Sequence, residues 1–497
     1  MNRRNFIKNC ALMTGSLWVS GCSTAKTVST DKKSFSSRPN IVVILCDDLG
    51  YGDLSCYGHP IIRTPNLDGL ASSGIQFTDG YAAAPVCSPS RAGMLTGRNP
   101  NRAGIYDWIP GGDGPMHLRR SEVTFPGLLK AAGYDTMLAG KWHLNGQFNL
   151  PEQQPTPGDH GFDHWFATEN NASPSHRNPR NFVRNGESVG ETEGYSSSLV
   201  VKETLNWLDS RKDKTKPFLS VLTFHEPHTP VASPDDLVEK YRAQEEIYGQ
   251  AIYWANVAQV DRAVGAFMKG LKSRDLYEDT LIVFTSDNGP EEWMRYPACN
   301  VQHGSTGAVD GKKLRGHKLD VYEGGIRVPF IISWPKVMDR GRKCRQPVSS
   351  LDFLATFCSL AQAQMPDDLK LDGCDISSLI KGENAIKRER PLFWFYFRSR
   401  GYANMALRDG DYLLIARRTE ERFFPGGGYI HQKHFQSIVR CKPLAGSYEL
   451  YDLMNDPGET RNIAGIKRQK FQEMQKQMDA YLKDVQAECP DWDVNVK

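Results

Sequence analysis

Three times along this chain an unbroken apolar run stops abruptly at a cluster of carboxylates, histidines or amides, and that repeated design constrains the fold more than any other feature. Asn40-Ile-Val-Val-Ile-Leu-Cys46 stops at Asp47-Asp48; Pro217 to Phe224 stops at His225-Glu226-Pro227-His228; Thr280 to Thr285 stops at Ser286-Asp287-Asn288-Gly289. A strand with one face in water alternates apolar and polar residues. A run without alternation reads as a strand covered on both faces, the pattern of a parallel sheet sandwiched by helices. Val328 to Trp334 is a fourth candidate, and Val257, Val260, Val264, Phe267 and Leu271 recur at helical spacing just ahead of the strand that ends at Asp287. In such a fold, polar residues at the carboxyl ends of strands converge on one crevice.

The texture changes after about residue 385. Leu392 to Arg398, Asn404 to Leu407, Tyr412 to Ala416 and Tyr448 to Leu453 read as short strands, and Phe471, Met474, Met478, Tyr481 and Val485 mark a closing amphipathic helix. The expected layout is an α/β domain over 38–385 and a smaller α+β subdomain over 386–497. Residues 167–194 and 291–316 read as long loops, the usual carriers of specificity or of a lid over a rigid sheet.

Residues 1–22 read as an export signal. Arg3-Arg4 and Lys8 precede a short apolar stretch, Cys10 to Val19, which falls short of the roughly 20 helical residues that a bilayer requires. Val19-Ser20-Gly21-Cys22 resembles a bacterial lipobox, which implies lipidation of Cys22, a membrane anchor and a periplasmic or outer-membrane location; 23–37 would be the polar tether. Lys plus Arg number 61 against 58 Asp plus Glu, and three of those cations lie in the leader, so nucleic acid finds no concentrated positive charge to bind. The eleven cysteines include no C-x-x-C pair, which argues against zinc and against a dense disulfide framework, leaving room for one or two bridges.

Asp47, Asp48, Asp287 and Asn288 bring three carboxylates and one amide to the same strand ends. Like charges so placed repel unless a divalent cation joins them, and oxygen-only donors favour Ca²⁺, or Mg²⁺, over zinc; turn and cap residues after strands are the bland alternative. Cys87, in Cys87-Ser-Pro89-Ser90-Arg91, would sit at a helix N-terminus, where free N–H groups lower a thiol pKa. It is either a nucleophile or a buried cysteine ahead of a helix.

C-S-P-S-R followed by A-G-M-L-T-G-R resembles the signature of the type I sulfatases, in which the cysteine is oxidised to Cα-formylglycine. The companion segments stand in family order: P-N-I-V-V-I-L-C-D-D-L-G-Y-G-D at 39–53, T-P-N-L-D-G-L-A at 64–71, G-Y-D-T-M-L-A-G-K-W-H-L at 133–144, E-P-H-T-P at 226–230, F-T-S-D-N-G at 284–289, K-L-D-V-Y-E-G-G-I-R-V-P at 318–329 and Y-D-L-M-N-D-P-G-E at 451–459. Within the family the chain looks most similar to arylsulfatase A, to N-acetylgalactosamine-6-sulfatase and to bacterial polysaccharide sulfatases.

The resemblance implies an alkaline-phosphatase-like α/β fold, a large mixed sheet between helices, with a smaller C-terminal sheet domain. It implies that Asp47, Asp48, Asp287 and Asn288 hold Ca²⁺ together with the modified Cys87 side chain, that Arg91 holds the formylglycine hydrate, and that Lys141, His143, His228 and Lys318 line the sulfate pocket. The implied chemistry is in-line attack on sulfur by the hydrate, deprotonated with help from the metal and Asp287. His228 protonates the leaving oxygen, and His143 acts as base when sulfate is expelled. His225 rivals His228 for the acid role on spacing alone. His303 and His317 flank the site, and His176, Arg177 and Arg180 are candidates for reading the sugar. The expected partners are a formylglycine-generating enzyme and a sulfated carbohydrate, a galactose or N-acetylgalactosamine 4-O or 6-O sulfate. The alternatives are a phosphatase or phosphodiesterase of the same superfold and a non-catalytic sulfated-glycan-binding lipoprotein.

Overall fold

The computed structural model describes residues 38–291, 308–309, 312–338, 341–383, 385–400, 403–417, 448–490 and 492. The expectations for Cys22, the export signal, the tether and His303 lie outside the described residues. Among the described helices none is long and apolar enough to cross a membrane.

The elements that build the crevice are β1 (Asn40–Asp47), α1 (Cys87–Thr96), β2 (Asp135–Lys141), α2 (Ser196–Ser210), β3 (Phe218–Pro227), α3 (Gln250–Lys272) and β4 (Thr280–Ser286). The four strands belong to a ten-stranded sheet whose order is Arg342–Cys344, Ile75–Phe77, Phe330–Ser333, β4, β1, β3, β2, His164–Thr168, Val183–Arg184, Glu187–Ser188. β1 lies in the middle and runs parallel to both neighbours, with Val43 opposite Val221 on one side and Val283 on the other. The missing alternation in its sequence has a simple cause. Val42, Ile44 and Cys46 face one apolar layer, with α2 and α3, while Ile41, Val43 and Leu45 face a second, with α1 and Phe353–Ala361. Every one of these side chains is withdrawn from water, contributing about 1.5–3 kcal/mol for each large aliphatic group. The fourth candidate strand shortens to Phe330–Ser333 and runs antiparallel to β4, which makes the sheet mixed. Pro329 and Pro335 bracket it, and proline cannot donate to a ladder.

The C-terminal strands Leu392–Phe395, Ala403–Asp409, Tyr412–Arg417 and Tyr448–Asp452 form an antiparallel sheet, followed by α4 (Arg468–Gln486). Phe393, Met405, Leu407 and Leu414 pack on Met474, Met478, Tyr481 and Val485 of α4. The opposite face, with Trp394, Tyr396, Leu413 and Ile415, packs on Tyr81, Val86, Cys87 and Ile326. The small sheet is therefore a wall of the region around Cys87 as well as a covering for α4. None of the seven described cysteines is bridged.

Candidate active site

α1 is buried along its whole length, and Cys87 is its first residue, after extended Val86. Arg91 lies four residues on, on the same helical face. The helix stops at Gly97, whose φ of 66° and N–H bond to the Gly93 carbonyl form a left-handed cap. On β2, Gly140 has a φ of 115°, and a Cβ there would stand 1.8 Å from the Thr223 carbonyl oxygen. Glycine thus lets β2 approach β3 closely enough to bring Lys141 to the crevice. Asp48 and His143 also adopt left-handed backbones, with φ of 65° and 59°, conformations uncommon for residues that carry a side chain.

The strand ends converge as a lattice of alternating charge. Arg91 donates from Nε and Nη2 to Asp287 Oδ2 at 3.0 and 2.7 Å, and from Nη1 to the Lys141 carbonyl at 2.7 Å. Lys141 Nζ stands 2.6 Å from Asp47 Oδ2 and donates to Asn171 Oδ1 at 3.0 Å. Lys318 Nζ lies 2.6 and 2.8 Å from the two oxygens of Asp48, which also accepts from Asn288 Nδ2 at 2.7 Å. Three cations thus meet three carboxylates. Of the pocket residues, the structure brings Cys87, Arg91, Lys141, His143, His228, Asp287, Asn288 and Lys318 together with Asp47 and Asp48.

Burial is the first influence on the three carboxyls. It lifts the Asp287 carboxyl to about 7, with repulsion from Asp47 adding to it, and the Asp48 carboxyl to about 6 despite Lys318. At Asp47 burial is outweighed by Lys141, His228 and Arg91, so this carboxylate is held well below its ordinary range. The Cys87 thiol is pushed up by burial, although Lys141 and Lys318 pull the other way. Of the two readings of Cys87, the burial and the direction of this shift favour a buried cysteine ahead of a helix over a bare thiolate.

The histidines divide into two kinds. His228 Nδ1 donates to the Thr229 carbonyl at 2.6 Å, leaving Nε2 3.6 Å from Asp48; burial, then Lys318, brings its pKa down to about 3. His143 Nε2 donates to the Ile109 carbonyl at 3.0 Å, and its buried Nδ1 has no hydrogen-bond partner among the described residues. Both ring nitrogens of His225, by contrast, are occupied by hydroxyls, Thr168 Oγ1 at 2.7 Å and Ser196 Oγ at 2.6 Å, so His225 braces the strand end that His228 follows. His176 is buried beside Asn256, away from solvent, while Arg177 and Arg180 are exposed and Arg180 pairs with Glu191 at 3.5 Å. His317 is half-buried, 3.7 Å from Asp320. Asn171 has no signal in the sequence beyond its place in a long loop.

The Sulfatase family model matches residues 39–363. The chain belongs to the sulfatase family. A second model, for the C-terminal region of N-sulphoglucosamine sulphohydrolase, matches residues 317–422. Arylsulfatase A of Homo sapiens is 33% identical over 454 residues, covering 86% of this sulfatase and 83% of that protein. N-acetylgalactosamine-6-sulfatase of Mus musculus is 34% identical over 460 residues, covering 85% and 81%. Among solved structures, Ps i-CgsB in complex with k-i-k-neocarrahexaose superposes with a TM-score of 0.75 at 27% identity, over 92% of this sulfatase and 94% of that chain.

Sulfatases generally use formylglycine and a divalent metal, and the residues of this one fit a cation. Asp47, Asp48 and His228 offer donor atoms within 4.8 Å of one another. Asp47 Oδ1 and Asn288 Oδ1 are buried acceptors without a hydrogen-bond partner among the described residues, as expected of oxygens shaped for a metal. Asp287 accepts from Arg91 through Oδ2 and from the Asp48 N–H through Oδ1, at 3.2 Å, and His228 is the further donor beside the two aspartates.

Proposed function

We propose that this sulfatase removes an O-sulfate from a carbohydrate by a formylglycine-dependent mechanism with Ca²⁺ as its cation. The observation that carries the reading is the placement of Cys87 at the head of a buried helix whose next turn presents Arg91, inside a crevice that also holds Lys141 and Lys318. A sulfate ester is a weak electrophile with negative charge spread over its oxygens, so the site needs positive charge in a dry place and a nucleophile stronger than water. A divalent cation on Asp47, Asp48, Asp287 and Asn288 would supply Lewis acidity and leave Lys141 and Lys318 for the ester oxygens. Oxidation of Cys87 to an aldehyde, hydrated to a geminal diol, would supply both the attacking hydroxyl and a second one to expel sulfate.

The chain's own groups do the rest. Arg91 and Asp287 orient the side chain at position 87. Lys141, fixed by Asn171, and Lys318 bind the ester. His228, held at Nδ1, presents Nε2 to the leaving oxygen and gives it a proton as the imidazolium, a form favoured when the anionic ester arrives. His143 presents the unpartnered Nδ1 as the base. The carbohydrate class is supported by the relatives, one an N-acetylgalactosamine-6-sulfatase and one solved with k-i-k-neocarrahexaose; a galactose or N-acetylgalactosamine sulfate at O4 or O6 is the proposed substrate.

The test joins mass spectrometry of the Cys87 peptide from the native host to sulfate release from a panel of sulfated galactans and glycosaminoglycans. Aldehyde at residue 87 and release from a glycan, both lost in Cys87→Ala, are expected. An unmodified thiol with no release from any glycan overturns the mechanism.

A further inference from the structure

The segment Asp107-Trp108-Ile109 borders the cysteine end of the crevice. The Ile109 N–H donates to Ser88 Oγ at 3.0 Å, and its carbonyl accepts from His143, so the segment is tied to the residue after Cys87 and to a pocket histidine. Trp108 is half-buried against the apolar cluster that contains Cys87. Arg398, just past the first strand of the C-terminal sheet, lays its guanidinium over the Trp108 ring, 4.3 Å from the centroid, and donates from Nη1 to Asp107 Oδ2. Asp107 is itself buried and fixed, accepting from the Tyr396 hydroxyl at 2.7 Å and from the Trp108 N–H at 2.9 Å. Tyr396 shares the cluster around Cys87.

The result is an arginine held by groups that leave much of it unused. Only Nη1 is committed; neither Nε nor Nη2 has an acceptor among the described residues, and the side chain keeps 18% of its exposure. The edge formed by Nε and Nη2 is the one that grips a carboxylate or sulfate through two parallel hydrogen bonds. Other cations nearby are spoken for. Arg400 pairs with Glu291, and Arg91, Lys141 and Lys318 face the crevice carboxylates.

We propose that Arg398, held by Asp107 and Trp108, is an oxyanion-reading subsite for the leaving group, taking a second anionic substituent on the glycan that bears the scissile ester. The inference rests on the sulfatase reading of the crevice and adds that the preferred substrate is polyanionic. The second anion is a uronic carboxylate or a further sulfate, which share the chemistry that the guanidinium edge recognises.

The experiment uses three matched disaccharides built on the sugar and ester position that release sulfate in the panel above. One has no further charge, one a neighbouring carboxylate, and one a second sulfate. The full-length, matured enzyme is expected to prefer one charged form, and that form names the anion. Arg398→Gln is expected to lower the ratio of kcat/KM for charged over uncharged substrate by about 10- to 100-fold, mainly through KM, the loss of a charge-assisted pair. Arg398→Lys keeps the charge without the fork and recovers only part of the ratio. An equal fall on all three substrates assigns Arg398 to the wall of the fold and overturns the subsite, as does a wild type without preference. Failure of the glycan panel itself would strike the crevice reading instead, so the two are distinguished.

Discussion

Asp47 and Asn288 each keep a buried oxygen without a hydrogen-bond partner among the described residues, an arrangement that costs free energy unless something cationic arrives. Dialysis against a chelator is therefore expected to abolish sulfate release, and Ca²⁺ added back to restore it and raise Tm, as any ligand specific to the folded state does. Asp47→Asn should weaken that rise; equal activity and equal melting with and without cation would count against the site. Much at this scale was legible in sequence, because a carboxylate following a doubly covered strand has few places to point. Asp47, Asp48, Asp287 and Asn288 are of this kind. The Cys87 thiol was not: a helix N-terminus lowers a thiol pKa, but only the folded structure reveals how completely the thiol is desolvated. Asn171 and the Asp107–Arg398 pair were illegible for another reason, since they depend on which loops meet in space.

The short helix Glu323–Ile326 follows Lys318 through Leu319, whose φ is 74°. Its Glu323 carboxylate accepts from the Tyr81 hydroxyl at 3.0 Å and from Arg327 Nη1 at 3.0 Å, while Glu459 Oε2 receives the Glu323 N–H at 3.0 Å. Burial, against the pull of Arg327, lifts Glu323 to about 7, above an unfolded value of about 4.3. The folded chain then binds more protons than the unfolded one between those values, so this group's stabilisation is complete below the lower value and is lost as pH rises through the upper one. Glu323→Gln should flatten the fall in Tm between about pH 4 and about pH 7; parallel profiles for the two proteins would refute the assignment. Element types were legible from periodicity. Boundaries followed cues of smaller size, as where Pro329 and Pro335 cut a seven-residue apolar run to Phe330–Ser333.

Across the molecule, one guanidinium fastens the end of α4 to the segment that follows α1. Arg102, fully buried, meets Asp372 at 2.9 Å, Asp484 at 2.6 Å and Glu488 at 2.7 Å. Arg102→Leu strands the buried Asp372 charge and is expected to cost about 3–5 kcal/mol, seen as a Tm lower by about 1 °C per kcal/mol for a chain of this length; an unchanged Tm would show that the network is idle. Sequence reading separated the two sheets by texture, which was visible, but could not show that they share a wall, since residues 300 positions apart carry no mark of their contact. That shared wall has a consequence for the gene. Trp394 and Tyr396 pack in one cluster with Cys87, although the ribosome makes them after every residue of the crevice. A premature stop codon between Lys318 and Leu392 would spare every codon from Asp47 to Lys318 and still strip Trp394 and Tyr396 from the cysteine, so null alleles should map downstream of Lys318 as readily as to the signature itself.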